Sequence, residues 1–154
     1  MYYGTVLFGS VKNGSVSSEG SALLALQRAT HATLQTLATE LVDLDLTPSE
    51  TNALANLADG RARTVSELGA AIGSKPTTLT GVLDRLERRG HITRGSLAGD
   101  RRSVLIELTE SGRATADAIS RTIRELEERA LADLDREKVA AFYEVLRALT
   151  EVSR

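Results

Sequence analysis

The stretch TVSELGAAIGSKPTTLTGVLDRLERRG, Thr64 to Gly90, decides how this chain is read. Thr64-Val65-Ser66-Glu67 sets a hydroxyl where it can accept the free amides of a starting helix, and a carboxylate three residues on that can bond back to the capping residue. Leu68, Ala71 and Ile72 follow at helical spacing until Gly73, which predicts a short helix. Ser74 is a second candidate cap and Pro76 suits a first helical turn. Leu79, Val82, Leu83 and Leu86 then form one apolar stripe, closed by Gly90, a residue able to take the left-handed conformation that ends helices. Two helices joined by a tight Gly-Ser corner, the second with a polar first turn, make a helix-turn-helix arrangement.

Downstream the period changes. His91–Leu97 and Ser103–Leu108 read as strands, with Val104, Ile106 and Leu108 on one face, and Ala98-Gly99-Asp100-Arg101-Arg102 between them reads as a hairpin tip. A basic hairpin after the second helix is a wing. Thr109 is a cap for a long helix through Ile119, Ile123, Leu126 and Ala130. A break at Asp133–Asp135 leads to a last helix bearing Val139, Phe142, Leu146 and Leu149. Upstream, Thr47-Pro48-Ser49-Glu50 repeats the capping signal and opens a helix with Leu54 and Leu57 that ends near Asp59-Gly60. Before it, Leu23, Leu26, Thr30, Leu34, Leu37, Leu41 and Leu44 mark one stripe of a long amphipathic helix from Ser21 to Leu44, widened by Leu24 and Ala25.

The predicted fold class is therefore mainly α with a small β-hairpin wing. Residues 47–112 form a winged helix-turn-helix, residues 21–46 and 113–154 supply helices whose apolar stripes form a dimerisation platform, and residues 1–20 form an arm. The 154 residues are 42% hydrophobic, enough for a core. Its packing must be aliphatic, because three of the five aromatics (Tyr2, Tyr3, Phe8) lie in the first eight residues. The absence of cysteine excludes disulfides, thiolate metal sites and thiol redox sensing. The longest apolar runs fall far short of the roughly 20 residues that span a bilayer, and residues 1–20 lack the basic start and sustained apolar run of a secretion signal. A cytoplasmic protein without membrane partners is expected.

The net charge of −2 argues at first against nucleic acid, but its distribution reverses the argument. Between Arg61 and Arg102 nine basic residues face four acidic ones, a local +5 that leaves −7 for the rest of the chain. Phosphate attraction follows the local field, so this asymmetry suits a DNA-facing module on an acidic scaffold. Nothing assembles a catalytic constellation: the two histidines are distant, no glycine-rich phosphate loop is present, and the acids sit at helix starts and surfaces, where capping and the helix dipole account for them. No enzyme activity, metal site or cofactor is expected.

The chain resembles the MarR family over roughly residues 20–151. The resemblance rests on Leu46-Thr-Pro-Ser-Glu50, Val65-Ser-Glu-Leu68, Thr80-Gly-Val-Leu-Asp-Arg-Leu-Glu-Arg-Arg-Gly90, Asp100-Arg-Arg-Ser103 and Leu108-Thr-Glu-Ser-Gly112, in that order and spacing. It implies a protomer of six helices with the wing between the fourth and fifth, a twofold homodimer joined by its terminal helices, and a repressor binding a pseudopalindromic operator in double-stranded DNA. Family members often carry a basic or polar residue where this chain has Gly81, so a relative's base preference does not carry over.

Ser74, Lys75, Thr77, Thr78 and Thr80 line the first turns of the second reader helix, where free amides favour phosphate and a threonine methyl can touch thymine. Arg101 and Arg102 at the wing suit a narrow minor groove. The resemblance makes Arg102 the inserted side chain, with Asp100 bracing the turn. Arg85 can reach a phosphate or brace the wing, Arg94 is a further phosphate contact, Arg88 and Arg89 read as solvated, and Arg61 and Arg63 are weaker candidates still. The resemblance also implies a small aromatic or phenolic effector, for which Gln27, Thr30 and His31 are the polar positions on the first helix. The competing expectation is a winged-helix protein-interaction module that does not read DNA.

Overall fold

The computed structural model describes residues 21–73, 76–97 and 100–152. In chain order the elements are α1 (Ala22–Glu40), a 3-10 turn (Val42–Leu44), α2 (Pro48–Leu57), β1 (Arg63–Thr64), α3 (Val65–Ile72), α4 (Pro76–Arg88), β2 (Ile92–Leu97), β3 (Asp100–Leu108), α5 (Glu110–Leu131) and α6 (Arg136–Val152). The expected arm at residues 1–20 lies outside the described residues. The chain divides into two units, residues 1–33 and 34–154, and the described part of the first is the opening of α1.

The long first helix is shorter than its stripe predicts. It stops at Glu40, and the amides of Leu44 and Asp45 bond three residues back, to Leu41 O and Val42 O, instead of four. Asp45 closes this tighter turn in the left-handed region, at φ 49°, a conformation that a short polar side chain tolerates. The chain is thereby turned into the extended Thr47, which caps α2.

Both predicted capping boxes form. The hydroxyls of Thr47 and Thr64 accept the amides of Glu50 and Glu67, whose carboxylates accept the threonine amides at 2.8 and 2.7 Å. Gly73 and Gly90, at φ 65° and 73°, end the two reader helices in a conformation that a Cβ would strain. Between them α4 buries Leu79, Val82, Leu83 and Leu86. These pack with Leu54 and Leu57 of α2, Leu68 of α3, Ile92 and Ile106 of the sheet and Ile119 of α5 into one aliphatic core.

The sheet has three strands where a hairpin was expected. Its order is β1-β3-β2, all antiparallel, with Arg63 opposite Ile106 and Thr64 opposite Leu105. A two-residue strand carries no periodicity, so β1 is invisible until β3 lies beside it. β2 and β3 pair from Ile92 opposite Leu108 to Ser96 opposite Val104, and the register then shifts so that Leu97 faces Asp100. The backbone of Asp100, Arg101 and Arg102 consequently belongs to β3, a correction to the expected five-residue tip.

The wing returns to the body through Thr109. Its amide donates to His91 O at 3.0 Å, its hydroxyl donates to Gly90 O at 2.6 Å and accepts from the Gly112 amide at 2.9 Å, capping α5. A Cβ on Gly112 would lie 1.8 Å from His91 O, so only glycine lets the start of α5 press this closely on the residue that precedes β2.

Candidate nucleic-acid interface

The amphipathic sequence of α4 separates its two faces cleanly. Leu79 is fully buried, whereas Thr77, Thr78 and Thr80 are exposed on its first turns. Three of the predicted contacts are thus brought together at one helix end. Ser74 and Lys75 lie outside the described residues, and Asp100, Arg101 and Arg102 are described through their backbone, which places them at the far end of the wing hairpin.

Among the remaining arginines, Arg85, Arg89 and Arg94 are turned to protein partners outside their own elements, which their helical or strand positions did not disclose. Arg94, on β2, donates from Nη2 to Asp84 Oδ1 at 2.6 Å, and its Nε lies 3.5 Å from Glu87 Oε2. With only 26% of its side chain exposed, it fastens the root of the wing to α4 and is not presented outward as a phosphate donor. Arg85 does not brace the wing. Its Nε donates to Glu50 Oε1 at 2.8 Å, joining α4 to α2. Arg89, expected to be solvated, donates to the backbone carbonyls of Leu44 and Asp45, and Arg88 Nε reaches Asp84 O at 3.2 Å. Arg63 is paired with Asp59 at 2.7 Å, which holds that carboxyl well below the usual carboxylate range. Asp84 and Glu87 are already counted in the +5 of the segment, whereas Glu50 and Asp59 lie outside it, and these last two acids lower the +5 to +3.

Glu50 is the residue that sequence reading missed. It is recognised as a cap, but its burial, 2% exposed, is set by the packing of α2 against α4. Burial raises its pKa, yet the hydrogen bonds from the Thr47 amide, Arg85 and the Thr47 hydroxyl outweigh that and hold it below its ordinary value. It stays charged. A cleft of about 340 Å³ opens above it, lined by Asp45, Thr47, Glu50, Arg85, Arg88 and Arg89. Nearby, burial and the charge of Arg89 lower the pKa of His91, whose buried Nδ1 has no hydrogen-bond partner among the described residues.

Gln27, Thr30 and His31 are exposed on α1. On α6, which has no buried residue, Phe142, Tyr143 and Val145 are each about half exposed. No group of three or more metal-ligating side chains is found, and no helix is long and apolar enough to cross a membrane, both among the described residues.

A model of the MarR family matches residues 44–103, the segment from the 3-10 turn through the start of β3. The organic hydroperoxide resistance transcriptional regulator of Bacillus subtilis is 37% identical over 109 residues, covering 69% of this chain and 74% of that protein. The chain belongs to the MarR family. Another relative, the HTH-type transcriptional repressor NicR of Pseudomonas putida, is 34% identical over 102 residues, covering 66% of this chain and 65% of that protein, so the aligned part falls just short of two thirds of NicR. The fold agrees as well: the DNA complex of MepR from S. aureus superposes with a TM-score of 0.77 at 24% identity, covering 88% of this chain and all of the other. The helix-turn-helix and the three-stranded sheet together make a winged helix, with the additional β1 strand part of that sheet.

Proposed function

We propose that this MarR-family regulator is a homodimeric repressor that binds a pseudopalindromic operator, one reader to each half-site. The observation that carries the reading is the exposed Thr77-Thr78-Thr80 face at the start of α4, its opposite face locked into the core, beside a wing that carries Arg101 and Arg102. Acids around it do not oppose DNA, because Glu50, Asp59, Asp84 and Glu87 each face an arginine of the reader. In this reading Ser74, Lys75 and the three threonines enter the major groove while Arg102 enters the minor groove and Asp100 braces it. Arg101 joins the backbone contacts. The half-exposed apolar residues of α6, together with the apolar stripe of α1, supply the dimer surface.

Half-site spacing then depends on dimer geometry, and a ligand that fits one geometry better shifts DNA affinity. A small aromatic or phenolic acid contacting Gln27, Thr30 and His31 is the proposed effector. Footprinting on DNA flanking the chain's own gene tests the whole reading: protection of two half-sites about one helical turn apart is expected. A Lys75→Ala, Arg102→Ala double variant should lose that footprint while staying a folded dimer. Absence of any footprint at low salt would instead favour a winged-helix module that docks on protein.

A further inference from the structure

We propose that Arg85 and Glu50 form a positioning pair for DNA reading, with Arg85 acting on the operator through Glu50 and not through phosphate. The inference rests on the DNA-binding reading above and assigns one of its arginines a different task.

Three observations carry it. First, Glu50 is the one buried charged side chain among the described residues. Second, its carboxylate cannot swing: Oε2 is taken by the Thr47 amide at 2.8 Å and the Thr47 hydroxyl at 2.9 Å, which fixes Oε1 as the acceptor for Arg85 Nε at 2.8 Å. Third, Arg85 lies about 10 Å along the α4 axis from Thr78, so a small roll or slide at Arg85 is transmitted along a stiff helix to the threonines. Asp84 and Glu87 tie α4 to the wing through Arg94, but the contact of α4 with Leu54 and Leu57 of α2 and Leu68 of α3 is aliphatic, and such packing is non-directional. A charge-assisted hydrogen bond to an immobilised acceptor is directional, and it specifies the rotation that packing leaves soft. One carboxylate thus caps α2 and sets the pose of α4.

A phosphate contact and a positioning pair differ in their salt dependence. Losing one phosphate contact lowers the slope of log affinity against log salt by about one, whereas a misposed helix loses affinity at unchanged slope. The experiment uses the full-length chain and a duplex that it selects from a randomised pool, with a scrambled duplex as control. If the wild-type chain selects no duplex, the DNA-binding reading fails, and the pair with it. Given a selected duplex, Arg85→Gln and Glu50→Gln should each weaken binding to it about tenfold, and the double variant should be no weaker than either single one. The salt slope and the affinity for the scrambled duplex should stay at wild-type values. A slope reduced by about one in Arg85→Gln, full binding by Glu50→Gln, additive losses in the double variant, or equal loss on both duplexes would each overturn the proposal.

Discussion

The reader and the last helix of this chain are built from similar residues and end up in opposite states. From Leu41 to Ile119 lies every apolar residue that is buried among the described ones, whereas α6, with valine, leucine and phenylalanine at helical spacing, buries none. The reader closes on itself because α3 and α4 end at left-handed glycines, α2, α3 and α5 start at threonine caps, and Gly112 lets α5 approach His91 O closely. In α6 the same kind of stripe has no such closure. Tyr143 Oη donates to Glu127 Oε1 at 2.9 Å, but Phe142 and Val145 stay half exposed. An aliphatic helix face is thus stabilising only where the rest of the chain, or a second chain, comes back to cover it.

Gly112→Ala attacks the closure of the reader directly. Its methyl would lie 1.8 Å from a backbone oxygen, so α5 and the wing root must separate, at a cost of about 3 kcal/mol in chemical denaturation. A cost below about 1 kcal/mol would show that this junction is looser than the reader's geometry requires.

On the other side of the comparison, Phe142→Glu with Val145→Glu should leave the far-ultraviolet circular dichroism near wild type and raise the dimer dissociation constant on the order of 100-fold, read by sedimentation velocity. Unchanged assembly would mean that α6 is not covered by a second copy. Either result decides what the open stripe is for.

The smallest expected effect concerns pH. The folded-state pKa of His91 lies below its ordinary value of 6.5, chiefly through burial, so the unfolded chain binds the proton more readily. The reader is therefore fully stable above pH 6.5 and loses stability as pH falls below it, before Glu50, with its own lowered pKa, begins to protonate. His91→Gln should flatten the melting temperature between pH 6.5 and 5. A wild-type profile already flat in that range would remove His91 from the closure.

Much of this was legible in the residues. Thr47, Thr64 and Thr109 announced helix starts through local hydrogen bonds that any chain with that spacing can make, and Gly73 and Gly90 announced stops through backbone sterics. The exposed threonines of α4 followed from the same stripe that predicts its buried leucines. Charge was misread where it was merely counted. Arg85 and Glu50 are 35 residues apart and Arg89 and Leu44 are 45 apart, so neither contact has a local signature. Arg94 looked outward because strand alternation says which face a residue takes, not which acids a neighbouring helix brings to that face.

The +5 of the middle segment belongs to the sequence because it is a count of residues, and so do the helix-turn-helix and the wing, because caps, stripes and turns depend on residues within a few positions of one another. Tertiary structure decided how that charge is spent. Packing α2 and β2 against α4 carries Glu50, Asp84 and Glu87 within reach of Arg85 and Arg94, and ion pairs fall off too steeply with distance to be specified before that packing exists.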